Sequence, residues 1–418
     1  MKKINFEELD LGDEVVIPIP FSERKSISLL LGAGFSAPKG YPVGNTVNKK
    51  LLEYHTYPIS FSPAGEIATT KTGEKPEFGV MGYQNIYEKQ YSFCLDLIKC
   101  YNENNKNFDY EIFYDFIKSK EIYAEEYQHL ASKYLSEIID FNQLVFGLPS
   151  IYNQMVAYIL KDDNFKQWYD DIPYHLGKYD GYTGFLKYIQ ELAENYIVNV
   201  HTLNHDLFFE SLNKTEYING NISDGFDEYG SNYYGILDIN NIKYHCRLER
   251  YTGHYLTPIR LYKLHGSLNY VLYHRTKGIS LIPDKYVKIR YGMSASDLLR
   301  GIGSKKHYES YPFAYHADYL TGTTSKILRY KERYLYKKLF HKFKQNLSRS
   351  EKLIIIGYGA KDAEINNILM KYFDYKNKPV YIIDPYAKGN NIVEKFAKEI
   401  HAQIISSQIE DINKEMFG

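Results

Sequence analysis

The chain has 418 residues, which allows a large hydrophobic core and predicts two domains or one domain with a large insertion. Basic and acidic residues balance at 51 each, so no overall positive field attracts nucleic acid. No apolar run reaches the roughly 18 residues of a membrane span, and the first residues lack the apolar region of a signal peptide. The three cysteines, Cys94, Cys100 and Cys246, form no CxxC pair, which predicts a cytoplasmic protein without a four-thiolate zinc site.

The first half of the chain begins with a strand and continues with helices. An apolar run over 26–31 ends in glycines, which is typical of a buried strand feeding a tight turn. A helix is expected over 45–54 and a loop over 56–80. Apolar residues at helical spacing then predict a helical module over 84–196, inserted in or packed on the core. Its expected helices span 87–101, 110–117, 127–146, 151–168 and 184–196.

The second half alternates strands with helices. A strand over 196–200 leads to a helix over 207–212, hairpins and loops are expected over 213–258, and residues 275–325 follow no regular pattern. Further strands are expected over 261–264, 352–356, 380–383 and 403–405, and further helices over 325–348, 362–372 and 392–400. This alternation predicts an α/β protein with a Rossmann-like, doubly wound parallel sheet and a large helical insertion. The predicted core spans 1–55 and 196–418, and the insertion spans 56–195.

The first motif follows the first strand and reads Gly32-Ala33-Gly34-Phe35-Ser36, with Gly40-Tyr41-Pro42 shortly after it. Glycines let backbone N–H groups approach a diphosphate closely, and the Ser36 hydroxyl can donate to a phosphate oxygen. Tight turns use the same residues, so taken alone the motif indicates nucleotide binding and a structural turn about equally.

The second motif, Thr202-Leu203-Asn204-His205-Asp206, ends a predicted strand. Ligands bind at this edge of open α/β sheets, and Asn204 and Asp206 are spaced to point into one crevice. Capping of the following helix explains the same residues, and the local pattern by itself favours capping.

The third motif, Leu264-His265-Gly266-Ser267, also follows a strand. Histidine is a natural general base near neutral pH, and His265 is marked by its place between an apolar run and a glycine. Most of the 13 histidines are expected to be structural or exposed.

In this order, the three motifs resemble the sirtuin family, whose pattern is Gly-Ala-Gly-x-Ser with Gly-x-Pro, then Thr-Gln-Asn-x-Asp, then His-Gly. The late segment Ile356-Gly357-Tyr358-Gly359, with Asp362, Ile365 and Asn366, resembles the Gly-Tyr-Ser…Asp…Ile stretch of a divergent bacterial branch. The resemblance covers both ends of the chain and hardly touches residues 45–195.

The resemblance implies a role for each matching residue. Gly32, Ala33, Gly34 and Ser36 would hold the phosphates of NAD; Thr202, Asn204 and Asp206 would line the nicotinamide and ribose pocket; His265 would act as a base; Gly357 and Asp384 would lie beside the adenosine half. For Asp384, a turn aspartate before Pro385 is an equally good interpretation.

Departures from the family pattern separate its activities. The cysteine pairs of the deacylase zinc module are missing, Leu203 replaces the glutamine, and Val43-Gly44-Asn45 replaces Asp-Phe-Arg. The resemblance therefore implies the anti-phage branch that hydrolyses NAD to ADP-ribose and nicotinamide without a metal, with Asn204 orienting water and His265 accepting a proton. It also implies a homo-oligomer and, as for some relatives, a HerA-type DNA-translocating ATPase as partner. An NAD-dependent deacylase or ADP-ribosyltransferase, and a non-catalytic nucleotide-sensing module, stay as alternatives.

A basic stretch lies within the helix expected over 325–348 and just beyond it. Its cations are Lys326, Arg329, Lys331, Arg333, Lys337, Lys338, Lys342, Lys344 and Arg349. Interleaved leucines suit a buried stripe, so the pattern favours a solvated basic face over direct contact with nucleic acid.

Overall fold

A computed structural model describes most of the chain and gives its elements. The described residues are 24–53, 60–61, 67–68, 84–160, 180–239, 242–278, 280–289, 298–302, 307–310 and 318–417. The strands are β1 (Ser26–Leu31), β2 (Ser60–Phe61), β3 (Ile67–Ala68), β4 (Ile197–Thr202), β5 (Ile222–Ser223), β6 (Phe226–Asp227), β7 (Tyr233–Ile239), β8 (Ile242–Arg247), β9 (Glu249–Tyr251), β10 (Ile259–Lys263), β11 (Tyr270–Lys277), β12 (Ser280–Lys288), β13 (Leu298–Ile302), β14 (His307–Ser310), β15 (Ser350–Ile356), β16 (Val380–Ile383) and β17 (Gln403–Ile405). The α-helices are α1 (Gly44–Leu52), α2 (Gln84–Asn104), α3 (Tyr110–Lys118), α4 (Glu125–Ala131), α5 (Phe141–Leu160), α6 (Thr183–Asn195), α7 (Phe208–Ser211), α8 (Thr324–Arg329), α9 (Tyr336–Arg349), α10 (Ala363–Tyr372) and α11 (Asn391–Glu399).

A seven-stranded parallel sheet forms the centre, in the order β17-β16-β15-β1-β4-β10-β5. Apart from the two-residue strand β5, this is the six-strand order of doubly wound dinucleotide-binding folds. The chain runs from β1 outward through β4 to β10 and then returns to β15 on the other side of β1. The topological switch point therefore lies between β1 and β15, and the predicted Rossmann-like parallel sheet is confirmed.

Both faces of this sheet are buried, which explains why its strands read as nearly unbroken apolar runs. Side chains alternate along β1, so Leu30 packs on one face with Phe343 of α9, while Leu29 and Leu31 pack on the other with Phe185 of α6. The layers are helix, sheet, helix, and they leave the ends of the strands as the places where polar side chains collect.

Helices α1 to α5 share a separate hydrophobic cluster, which includes Val47 of α1, Phe93 of α2, Phe113 of α3 and Leu144 of α5. Helix α6 packs on the central sheet instead. The division into a core and an insertion over 56–195 stays a prediction. Among the described helices, none is both long and apolar enough to cross a bilayer.

The structure corrects three expectations about individual elements. The helix expected over 325–348 is broken into α8 and α9, and that over 127–146 is broken between α4 and α5. Residues 275–325 contribute β12, β13 and β14 to two four-stranded sheets, ordered β11-β12-β9-β6 and β14-β13-β7-β8. These segments are strands because they pair with other strands, and such pairing cannot be predicted from the local sequence pattern. The loop expected over 56–80 and residues 161–168 lie largely outside the described residues.

Three glycines bring the ends of β1 and β15 into backbone contact at the switch point. The N–H of Gly32 donates to the Ile356 carbonyl, and the N–H of Gly34 donates to the Gly357 carbonyl, both at 3.0 Å. A Cβ on Gly32 would lie 2.5 Å from the Gly357 oxygen, and a Cβ on Gly34 would lie 2.8 Å from the Gly357 Cα. Gly357 has φ +61°, and its own Cβ would collide with the Phe35 nitrogen.

Replacing Gly357 by alanine is expected to lower the free energy of unfolding by about 3 kcal/mol or more, because the new Cβ meets backbone and φ is strained. Gly359→Ala is the matched control, since its Cβ would meet no atom within 4 Å. Urea unfolding followed by circular dichroism measures both. Equal midpoints for the two variants would contradict this account of the switch point.

Candidate active site

The three sequence motifs converge on one edge of the sheet. Leu31 pairs in register with both Ile356 and Thr202, and Thr202 pairs with Lys263, so the four strands end at the same level. Gly357, Gly32, Asn204 and His265 each follow one of these strands closely. Motifs that are far apart in the chain therefore lie side by side at the switch point and next to it.

Most backbone N–H groups of the glycine turn donate hydrogen bonds within the turn or to the end of β15. Besides the two bonds from Gly32 and Gly34, Phe35 donates to the Gly32 carbonyl and Ser36 donates to the Ala33 carbonyl. The N–H of Ala33 has no acceptor among the described residues, and Ala33 is exposed. Packing against Gly357 therefore explains why both glycines are needed, and the Ala33 N–H is left without an acceptor among the described residues.

Asn204 is held through its nitrogens. Its Nδ2 donates to the Gly32 carbonyl at 3.0 Å and to Ser36 Oγ at 3.1 Å, while its backbone N–H donates to Thr202 Oγ1 at 3.1 Å. Its Oδ1 accepts no hydrogen bond from any described residue. The amide is thus fixed in orientation with its acceptor oxygen left over, and Thr202 acts through the backbone of Asn204.

Ser36 links the first motif to the second from a buried position, with only 1% of its surface exposed. Its Oγ donates to Asp206 Oδ1 at 3.2 Å and accepts from Asn204 Nδ2. The hydroxyl is therefore occupied in holding the site together. A phosphate contact from Ser36 would have to compete with both bonds.

Asp206 joins Ser36 to the start of α7. Its Oδ1 accepts the Phe208 N–H at 3.0 Å, an Asx-type contact two residues on, and it also accepts from Ser36, while the N-cap residue of α7 is Leu207 without a side-chain cap. Burial raises the pKa of Asp206, although Lys263, the Phe208 N–H and Ser36 act in the opposite direction.

A buried lysine next to Asp206 is absent from the sequence motifs. Lys263, the last residue of β10, is 1% exposed, and its Nζ lies 2.8 Å from Glu210 Oε1 and donates to the Asp206 carbonyl. The available signal was a cation between apolar residues, Tyr262 and Leu264, directly before the His-Gly motif, because a buried charge needs partners.

His265 is also buried, beside a tyrosine and an aspartate. Its Nε2 lies 3.1 Å from Tyr330 Oη and 3.6 Å from Asp362 Oδ2. Burial, together with Lys326 and His205, lowers the pKa of His265 well below its ordinary value. The imidazole is therefore neutral at neutral pH, which is the form that can accept a proton, and the same lowered pKa makes it a weaker base.

Asp384 directly follows β16, which lies two strands away from β1. Its Oδ1 accepts the Tyr386 N–H at 2.7 Å, which closes a turn around Pro385. This is the turn interpretation that the sequence left open for Asp384. Gly357, by contrast, lies at the switch point itself.

The basic stretch needs one correction. Lys331, Arg333, Lys337 and Lys338 are exposed, as a solvated face requires, but Lys326 is only 5% exposed. Lys326 pairs with Asp362 and with Glu111, a carboxylate of the helical region that the sequence motifs did not include. Helical spacing placed Lys326 with its basic neighbours, whereas its ion pairs with residues distant in the chain bury it.

The comparisons with known proteins add no relative. No family model matches the chain, and a search among curated proteins finds no match. Among the described residues, no group of three or more His, Cys, Asp or Glu side chains is arranged to hold a metal ion.

Asp206→Asn is expected to raise the free energy of unfolding at pH 7. Burial holds the pKa of folded Asp206 above the unfolded value of about 3.9, so ionisation above that pH costs the folded state free energy. Below that pH the residue is protonated in both states and the cost vanishes. Asparagine keeps an acceptor oxygen for Ser36 and Phe208.

Urea unfolding at pH 7 and near pH 4 measures this difference, which should shrink at the lower pH. Asp384→Asn is the control, because that side chain is only partly buried and asparagine can also close its turn. An Asp206→Asn variant that is less stable than wild type at pH 7 would show that the ionised carboxylate is needed.

Proposed function

We propose that the protein is a sirtuin-like NAD hydrolase that cleaves NAD to ADP-ribose and nicotinamide. The observation that carries the proposal is the amide of Asn204, which stands at the carboxyl edge of a doubly wound sheet with its donors bonded and its acceptor free. A neutral histidine, His265, follows the neighbouring strand. Ligands of this fold class bind at this edge.

The residues present fit a dinucleotide. Ala33 is exposed and its N–H has no acceptor among the described residues, so a diphosphate oxygen can accept it. Helix α1 begins soon after the turn, and no side chain caps its first N–H groups. Uncapped N–H groups with a positive helix end are a common setting for phosphate.

Asn204 and His265 would divide the chemistry. The bond between the ribose carbon and the pyridine nitrogen breaks, a bond from a water oxygen forms at that carbon, and one proton is released. Asn204 Oδ1 would orient that water or a ribose hydroxyl by accepting its O–H, and His265 would accept the proton. Nicotinamide leaves as a neutral molecule, so the site needs no general acid.

The wider proposal rests on the order of the motifs. It assigns the chain to the divergent bacterial branch, with NAD depletion in anti-phage defence, action in the cytoplasm, a homo-oligomer and a HerA-type ATPase as partner. It also treats the helices between β1 and α6 as the inserted module of that branch. Their separate hydrophobic cluster supports this division, as the three free cysteines support a reducing compartment.

Asn204→Ala and His265→Ala are each expected to slow nicotinamide release from NAD by about 10²-fold or more, the scale of a lost proton acceptor or a misplaced water. Chromatography of purified wild type and variants with NAD alone measures the release. Asn221→Ala and His254→Ala, both at exposed positions of the same chain, should retain wild-type activity. Circular dichroism confirms that each variant is folded.

The same assay separates the other activities. Release that requires an acyl-lysine peptide would indicate a deacylase, and label from NAD that remains on protein would indicate an ADP-ribosyltransferase. Binding of NAD without turnover would indicate a nucleotide-sensing module. Full activity of both folded alanine variants would overturn the proposed site.

A further inference from the structure

A carboxylate lies beside His265 and is fixed by backbone. Asp362 precedes α10, and its Oδ1 accepts the Ile365 N–H at 3.2 Å, so one carboxylate oxygen caps the helix. The other oxygen, Oδ2, lies 3.6 Å from His265 Nε2. The helix cap therefore holds the carboxylate still while leaving one oxygen directed at the imidazole.

A buried ammonium group shares this oxygen. Nζ of Lys326 lies 2.9 Å from Asp362 Oδ2 and 3.3 Å from both carboxylate oxygens of Glu111. Burial by itself lowers the pKa of Lys326, but Glu111 and Asp362 outweigh it and raise the pKa. Lys326 is thus a fixed positive charge between a carboxylate of the sheet edge and a carboxylate of α3.

Helix α3 also holds the beginning of α8, the helix that carries Lys326. The Asp115 carboxylate accepts the backbone N–H groups of Thr323, Thr324 and Ser325 at 2.9, 2.7 and 3.0 Å. Asp115 and Glu111 are one turn apart on α3, so the same helix face both caps α8 and pairs with its lysine. The position of α8 is therefore tied to α3.

The far end of α8 reaches the same histidine. Tyr330 follows directly after α8, and its Oη lies 3.1 Å from His265 Nε2. Both groups near Nε2 are therefore linked to α8. Tyr330 directly follows this helix, and Asp362 is paired with Lys326 within it. A shift of α8 against α3 would change both contacts together.

We propose that Asp362 positions His265 for proton transfer and that Lys326, held between Asp362 and Glu111 of α3, places a fixed positive charge beside this pair. The inference rests on the proposed function, in which His265 is the base. The carboxylate is close enough to hold the ring while a proton is on it, as an aspartate does for the histidine of a hydrolase triad. The positive charge of Lys326 disfavours protonation of His265, whereas the Asp362 carboxylate favours it.

The charged and titratable groups that face His265 come from four elements. They are Asp362 before α10, Lys326 within α8, Tyr330 after α8 and His205 after β4, with Glu111 of α3 behind Lys326. Lys326 and His205 lower the pKa of His265, after burial. Removing the lysine charge should therefore make the imidazole easier to protonate.

The first test is the double variant Glu111→Gln with Lys326→Met, which removes the ammonium without stranding an unpaired glutamate. We expect His265 to titrate at higher pH than in wild type, measured by NMR of histidine-labelled protein and assigned with His265→Gln. The acidic limb of kcat/KM for nicotinamide release should move in the same direction. Lys331→Met, which removes an exposed charge nearby, should move neither.

The second test is Asp362→Asn, which preserves the helix cap, because asparagine is an equally good N-cap residue. The loss of positioning should lower kcat by about 10²-fold with KM nearly unchanged, since the base acts in the chemical step. A purely structural role would instead lower stability and leave the ratio of kcat to KM intact.

The outcomes separate this inference from the proposed function. An unchanged histidine titration in the double variant, or an unchanged kcat in Asp362→Asn, would overturn the control of His265 by these residues. If wild type releases no nicotinamide, the proposed function fails. The NMR titration then still decides whether Lys326 and Asp362 govern the protonation of His265.

Discussion

The backbone contact between Gly357 and the turn of Gly32 and Gly34 determines the geometry of everything at this edge of the sheet. The two turns lie too close together for a Cβ on any of these three glycines. Their backbones are in direct contact and share a hydrogen bond. The same turn supplies the Gly32 carbonyl, which is one of the two acceptors of the Asn204 amide. The Asn204 amide is thus bonded to a turn that packs against the glycine following β15.

Two buried lysines also constrain how distant segments pack together, because each is paired with a carboxylate far away in the sequence. Lys263 pairs with Glu210, and Lys326 pairs with both Asp362 and Glu111. A lysine removed from water is tolerated only with close counter-charges, so these pairs hold segments to one another as well as neutralising themselves. Through Lys326, Glu111 of α3 and His265 belong to one electrostatic network, although helices α1 to α5 have a hydrophobic cluster separate from those on the central sheet.

Much of the central sheet could be predicted from short-range pattern. The strands β16 and β17 match the expected ranges residue for residue, because apolar runs of this length between helices have few other interpretations. The segments around β12 and β13 could not be predicted, since pairing across the sheet decides them. Lys326 shows the same limit within a site: Lys331 and Arg333 of the same basic stretch are exposed, whereas Lys326 is buried against Asp362 and Glu111, which are distant in sequence.

The sequence by itself determined the parallel α/β class, the glycine turn after β1, and the order of the motifs that contain Asn204 and His265. These depend on local chemistry, such as glycine after an apolar strand or a polar side chain at its end. The tertiary structure alone decided which contacts each motif residue makes: Gly32 and Gly34 pack against Gly357, Asp206 joins Ser36 to the start of α7, and His265 lies beside an aspartate that is paired with Lys326. These roles arise from contacts between residues that are distant in sequence, and the folded sheet brings those residues to a common edge.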